Sequence, residues 1–197
     1  MASPTLLIAK DKVLTNLKRM TERARRHGVE LRPHFKTHQS KEVAAWIKAS
    51  GVGEIAVTSL RMAREFATGR WQGITIAMPL NPGELAEINQ LAETVPLSVF
   101  INNPQTANLL RTDGHANIRC FTELDAGYGR SGIKFWDQQR LSALLRAVGK
   151  DRFRGYYVHS GHTYDAKDQD TIRDIHQELL RAIMRVKSYD FVPENCA

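Results

Sequence analysis

The sequence predicts an α/β protein of the (β/α)8 TIM-like barrel type, incomplete, with about six βα units. Three observations carry that prediction. Short β-prone apolar runs alternate with helical segments along most of the 197 residues. The helix starts are marked by capping residues. No hairpin signal separates consecutive strands, so the strands are parallel and joined by helical crossovers.

Val13, Leu14, Leu17, Met20 and Ala24 recur at helical spacing, and Gly28 closes that first helix. LRPHFK then reads as a strand ahead of a helix near residues 41–49. EIAVT precedes a helix near 60–68, GITIAM one near 83–93, and LSVFI one near 104–111. IRCFTELD leads to a helix near 138–147, and FRGYYVH to a long one near 168–187. Asn81 and Pro82 with Glu84, Asn103 with Pro104, and Asp137 supply N-cap and first-turn chemistry. TLLIA is a candidate extra strand at the N-terminus. No GxGxxG or GxxxxGK(S/T) follows a strand, which removes the usual nucleotide signatures of a doubly wound sheet and leaves the barrel. A complete barrel takes about 250 residues and eight strands, so the chain is expected to fall short of closure.

Residues 1–197 are expected to form a single domain, with 42% apolar and 25% charged residues typical of a folded protein. No apolar run reaches the ~18 residues of a membrane span, and MASPTLLIAKDK lacks the pattern of a secretory leader, so a cytoplasmic protein is expected. Cys120 and Cys196 lack paired spacing and read as reduced thiols. The net charge of +7 could attract nucleic acid, an anionic membrane or an anionic small molecule. Its densest patch, Arg23, Arg25 and Arg26, lies at a helix end where the dipole and solvent account for it. The sign of the charge alone does not choose among these partners, and no motif supports nucleic acid or a membrane as the partner.

Three stretches could carry chemistry. In LRPHFKTHQS, Arg32, His34, Lys36 and His38 alternate, so a strand would point all four to one side. A polar file is costly on a strand buried on both faces unless it meets an occupied site, and Lys36 and His38 would stand at the strand's C-terminal end. Neighbouring cations would favour a neutral, nucleophilic Lys36. A solvent-facing edge strand, supported by Pro33, is the alternative. In ELDAGYGRSGI, residues 123–133, Gly127, Gly129 and Gly132 permit a tight bend around Arg130, as a structural turn also would. In GYYVHSGHTYD, residues 155–165, Tyr157 and His159 share a strand face, and His162 and Tyr164 follow in the loop. Such groups can cover a flat heterocycle or move protons.

In this order the three stretches resemble the fold-type III pyridoxal-phosphate enzymes, the alanine-racemase-like barrels. RPHFKTH is similar to the RPHxKTH signature of the D-serine dehydratase and D-threonine aldolase branch, and the resemblance runs from about residue 4 to about residue 187. It implies pyridoxal 5'-phosphate as cofactor, held as a Schiff base by Lys36, with Arg32 and His34 in the same motif. It implies that Arg130 reaches the cofactor's phenolic oxygen or a nearby charge, and that His159, beside Tyr157, contacts the pyridine ring. His38, His162 and Tyr164 become substrate or loop candidates, and GHTY is closer to the dehydratases than to the aldolases. The implied reaction is loss of the β-hydroxyl from a D-3-hydroxy amino acid, D-serine giving pyruvate and ammonia. Retro-aldol cleavage of D-threonine and a non-catalytic cofactor carrier are the alternatives. In this branch a zinc ion is held by a further C-terminal domain, so no metal ligand is expected within these residues, Cys196 included. The resemblance also places the main phosphate-binding turn beyond residue 197, and allows a homodimer. The tail SYDFVPENCA does not read as the next strand, so a partial enzyme with weak or no turnover by itself is expected.

Overall fold

The computed structural model describes residues 7–189. Helix α1 (Lys10–Arg26) leads into the opening polar stretch. After it come α2 (Lys41–Ala49), β1 (Glu54–Val57), α3 (Leu60–Ala67), β2 (Gly73–Pro79), α4 (Leu85–Ala92) and β3 (Leu97–Ile101). The second half runs through α5 (Pro104–Asp113), β4 (Ile118–Asp125), a two-residue β5 (Ile133–Lys134), α6 (Gln138–Val148), β6 (Phe153–Val158) and α7 (Gln169–Lys187).

Every strand pairing is parallel. β1, β2, β3 and β4 follow one another across the sheet, β6 lies along the other edge of β4, and β5 pairs with the end of β4 at Leu124 and Asp125. Among the described residues no pairing joins β6 back to the start of the chain, so the sheet is an open arc of a barrel. The outward face of this arc is apolar: Ile55, Val57, Ile74, Ile76, Leu97, Val99, Ile101, Ile118 and Leu124 are buried under the helices. Cys120, also fully buried, lies on β4 between β3 and β6, and burial pushes its thiol up to about 12.

The expected caps form. Asn103 Oδ1 accepts the Thr106 N–H at 2.8 Å, Asp137 Oδ1 accepts that of Arg140 at 3.1 Å, and Asn81 Oδ1 accepts that of Gly83 at 3.1 Å. Each satisfies a helix-start donor that has no partner inside its own helix.

LRPHFK departs from the expected strand. Only His34 bridges to Ala56, whose N–H donates to Pro33 O at 2.9 Å, and residues Phe35–Thr37 then coil into a 3-10 turn. Local bonds outcompete the ladder: His34 Nδ1 accepts the Lys36 N–H at 3.3 Å, and Thr37 Oγ1 donates to His34 O at 3.2 Å. Phe35 rewards the turn by full burial against Phe66 and Trp71, with ring centroids 4.8 and 5.4 Å away. Burying such a side chain is worth about 1.5–3 kcal/mol. The four polar residues therefore do not share one face. In TLLIA, residues 7–9 carry no strand, and residues 5 and 6 lie outside the described part, as do Cys196 and the tail from residue 190.

Candidate active site

In a parallel sheet all C-terminal strand ends lie on one side, where barrels carry their chemistry. Lys36 stands there on the 3-10 turn, exposed, one residue after the buried Phe35. The loop from the end of β4 to β5 and the segment after β6 open on the same side.

The β4 loop is held by its own strand end. Asp125 Oδ1 accepts the N–H groups of Gly127 at 3.1 Å and Gly129 at 2.9 Å, and both glycines have positive φ, +114° and +74°. This fold-back delivers Arg130 toward Glu123, a carboxylate 1% exposed in the middle of the sheet. Glu123 Oε1 accepts a hydrogen bond from Ser131 Oγ at 2.7 Å and lies 3.9 Å from Arg130 Nη2. The charge of Arg130 also acts on the Tyr157 phenol. Tyr157 stacks on Phe100 with centroids 4.1 Å apart, and its burial raises the phenol above its usual range against the pull of Arg130.

After β6, His159 lies between two tyrosines. Tyr128 meets it edge-on with centroids 5.3 Å apart, and Tyr164 approaches at 6.0 Å. Burial first, then the charges of Arg130, Lys36 and His162, holds the imidazole below its ordinary range. His34 is lowered likewise, by burial and then by Lys36. These influences bring Lys36, His34, Arg130, His159 and His162 into one electrostatic neighbourhood. Among the described residues, His162 Nδ1 and Glu123 Oε2 are buried with no hydrogen-bond partner.

Two sequence candidates lie elsewhere. Arg32 is level with the N-terminal end of β1, ion-paired to Glu54, and its guanidinium lies 5.5 Å from the centre of the Phe121 ring. Glu54 also takes Arg154 Nη2 of β6 at 2.6 Å, and Arg154 Nη1 donates to Ser98 Oγ at 3.0 Å. This network braces the N-terminal side of the arc. A cleft of about 400 Å³ lined by Arg25, Glu30, Arg32 and Glu54 lies on that same side, away from Lys36. His38 packs on Phe35 and Phe66, and its Nδ1 accepts the Ser40 N–H at 3.1 Å, so it supports the start of α2.

Sequence reasoning missed Glu123 and Tyr128, although both lie in the quoted ELDAGYGRSGI. The available signal for Glu123 was a carboxylate between Thr122 and Leu124 in the middle of a strand that should be buried on both faces.

The sequence profile of the alanine racemase N-terminal domain matches residues 8–194. The chain belongs to the alanine racemase N-terminal-domain family. By descent and fold it is thus related to the fold-type III pyridoxal-phosphate enzymes. It is 29% identical over 177 residues to the D-threo-3-hydroxyaspartate dehydratase of Delftia sp. (strain HT23), covering 87% of this chain and 47% of that protein. It is 31% identical over 186 residues to the D-threonine aldolase of Arthrobacter sp, covering 91% and 48%. It is 28% identical over 171 residues to the D-serine dehydratase of Schizosaccharomyces pombe (strain 972 / ATCC 24843), covering 79% and 41%. The solved structure of the Delftia dehydratase superposes with a TM-score of 0.84 at 26% identity, over 94% of this chain and 51% of that one. The chain therefore spans about half the length of the relatives it matches.

The residues of the site fit the ring and aldehyde end of pyridoxal phosphate. An exposed primary amine stands beside a lowered imidazole and a guanidinium, a set suited to an anionic aromatic aldehyde, and the buried unpartnered His162 Nδ1 offers a further polar contact. Among the described residues there is no group of three or more His, Cys, Asp or Glu that could hold a metal ion. No helix among them is long and apolar enough to cross a membrane.

Proposed function

We propose that this chain binds pyridoxal 5'-phosphate through Lys36 and carries the cofactor half of a lyase acting on a D-3-hydroxy amino acid, with D-serine as the leading substrate. The single observation that supports it best is the shared neighbourhood of Lys36, His159 and Arg130 at the C-terminal strand ends. Bound there, the cofactor supplies an electron sink for the bond broken at Cα. Lys36 Nζ would hold the cofactor and, when free, would serve as the base for the Cα proton. His159, its imidazole held below the ordinary range, presents a flat surface to the ring, with Tyr157 two residues before it on β6. Arg130 steadies negative charge, while Glu123 and Ser131 fix the loop that carries it. His162 and Tyr164 flank the amino-acid side of the site.

The substrate class is supported by the names of the relatives, which divide between dehydratases and aldolases of D-3-hydroxy amino acids. One solved variant of the Delftia dehydratase is described as its metal-free form, so a divalent metal such as zinc belongs to the proposal for the longer relatives. A second reading is a cofactor carrier, in which this polypeptide holds pyridoxal phosphate at Lys36 without turnover. A cytoplasmic protein, a D-amino acid ligand and a homodimeric assembly remain part of the proposal.

The test is incubation with pyridoxal phosphate, borohydride reduction and peptide mapping. A stable adduct on Lys36 is expected, and the lack of one in folded protein, or labelling elsewhere, refutes the assignment. Pyruvate from D-serine then marks the dehydratase, glycine plus acetaldehyde from D-threonine the aldolase, and an adduct without product the carrier.

A further inference from the structure

We propose that Tyr128 is a positioning residue for His159: its ring, seated on the bare backbone of Gly161, sets the plane of the imidazole at the mouth of the Lys36 site. The inference rests on the cofactor reading for its purpose, but its geometry stands independently of it.

Tyr128 is presented at the tip of a locked loop, because Asp125 Oδ1 binds the N–H groups of both flanking glycines, at 3.1 and 2.9 Å. Burial alone does not explain the placement of this ring, since the residue is 41% exposed. Its contacts do. The ring meets His159 at 69° with centroids 5.3 Å apart, an edge-to-face arrangement, and approaches His162 at 6.4 Å. The seat is specific: a Cβ on Gly161 would lie 2.4 Å from two ring carbons of Tyr128, closer than real atoms approach. A methyl group there must push the Tyr128 ring off its seat. Tyr164, the other ring on His159, is 73% exposed and has no such seat. Tyr128 thus links the loop carrying Arg130 to the strand end carrying His159, so both cofactor contacts share one alignment.

Two readouts test the proposal on the full chain. The first is the side-chain NMR titration of His159 in ligand-free protein, where Arg130, Lys36 and His162 are the charged or titratable groups acting on it. Y128L opens the imidazole to water and G161A displaces the ring while keeping it, so in both the His159 titration rises toward its ordinary range. Y128F retains the ring and leaves it unchanged. The second is affinity for pyridoxal phosphate by absorbance, expected to weaken about five-fold in Y128L and G161A and to hold in Y128F. An unaltered His159 titration in folded G161A overturns the proposal, as does a Y128F variant that behaves like Y128L. If wild type forms no Lys36 adduct, the cofactor reading falls, and the ligand-free titration still decides the role of Tyr128.

Discussion

Replacing Glu54 by alanine is expected to remove about 3 kcal/mol of folding stability. Glu54 is the shared acceptor of two arginines from opposite ends of the arc, Arg32 just before β1 and Arg154 on β6, with the three side chains 18%, 22% and 30% exposed. A unit charge pair at about 4 Å is worth about 4 kcal/mol at an effective dielectric near 20, and the partial exposure of the guanidiniums lowers that. Truncating the carboxylate also leaves two like charges flanking the Phe121 ring, at 5.5 and 5.7 Å from its centre. Breaking one side of a buried pair costs about 3–5 kcal/mol, and the lower bound suits this degree of exposure. For a chain of this size about 3 kcal/mol lowers Tm by about 6–12 °C. Circular dichroism in urea and on heating measures it, and a double-mutant cycle with R154M should give a coupling of about 1–3 kcal/mol. A loss below about 0.5 kcal/mol, the range of an exposed pair, would refute the view that this triad braces the arc.

Stability should also fall on acidification. His34, His38 and His159 are all held below the ordinary 6.5, each chiefly by burial, so as pH drops below about 6.5 the unfolded chain takes up protons that the folded chain does not. The contribution is present above pH 6.5 and is lost as pH falls toward the folded values; melting curves at pH 8, 6.5 and 5.5 that coincide contradict it. Gly132→Ala should destabilise by about 1–3 kcal/mol. Its φ is +97° and a Cβ would lie 2.9 Å from the Glu123 carbonyl oxygen, so the Arg130 loop must shift. Chemical denaturation checks the stability, and weaker pyridoxal-phosphate binding the displaced loop. Asp125→Ala, which leaves the Gly127 and Gly129 N–H groups without their shared acceptor, should loosen the same loop and raise its amide exchange rates.

The helices were legible because their signals are local. Asn81, Asn103 and Asp137 announce helix starts within four residues, and the structure uses each as a cap. The opening stretch misled for the same reason in reverse. Alternation counts positions, whereas His34 and Thr37 bond to the backbone two and three residues away and turn the chain before Lys36. Arg32 could not be placed from its neighbours, since its partner Glu54 is set by the register of His34 on Ala56. Arg154 lies 100 residues from Glu54, beyond any periodicity argument. Lys36, Arg130 and His159 could be singled out as candidates because each lies in a short polar or glycine-rich stretch, RPHFKTH, GYGRSG or VHSGHTY, that stands out between apolar runs.

Cys120 gives the sheet a clock. Its thiol is fully buried in the strand between β3 and β6 and pushed up to about 12, so in the closed fold it neither ionises at neutral pH nor meets a reagent. With Cys196 replaced by serine and enough maleimide or aromatic disulfide for modification to outpace reclosing, the rate of modification becomes the rate at which the centre of the arc comes apart. Measured with and without pyridoxal phosphate, that rate reports whether a ligand at Lys36 tightens strands that Lys36 does not itself belong to.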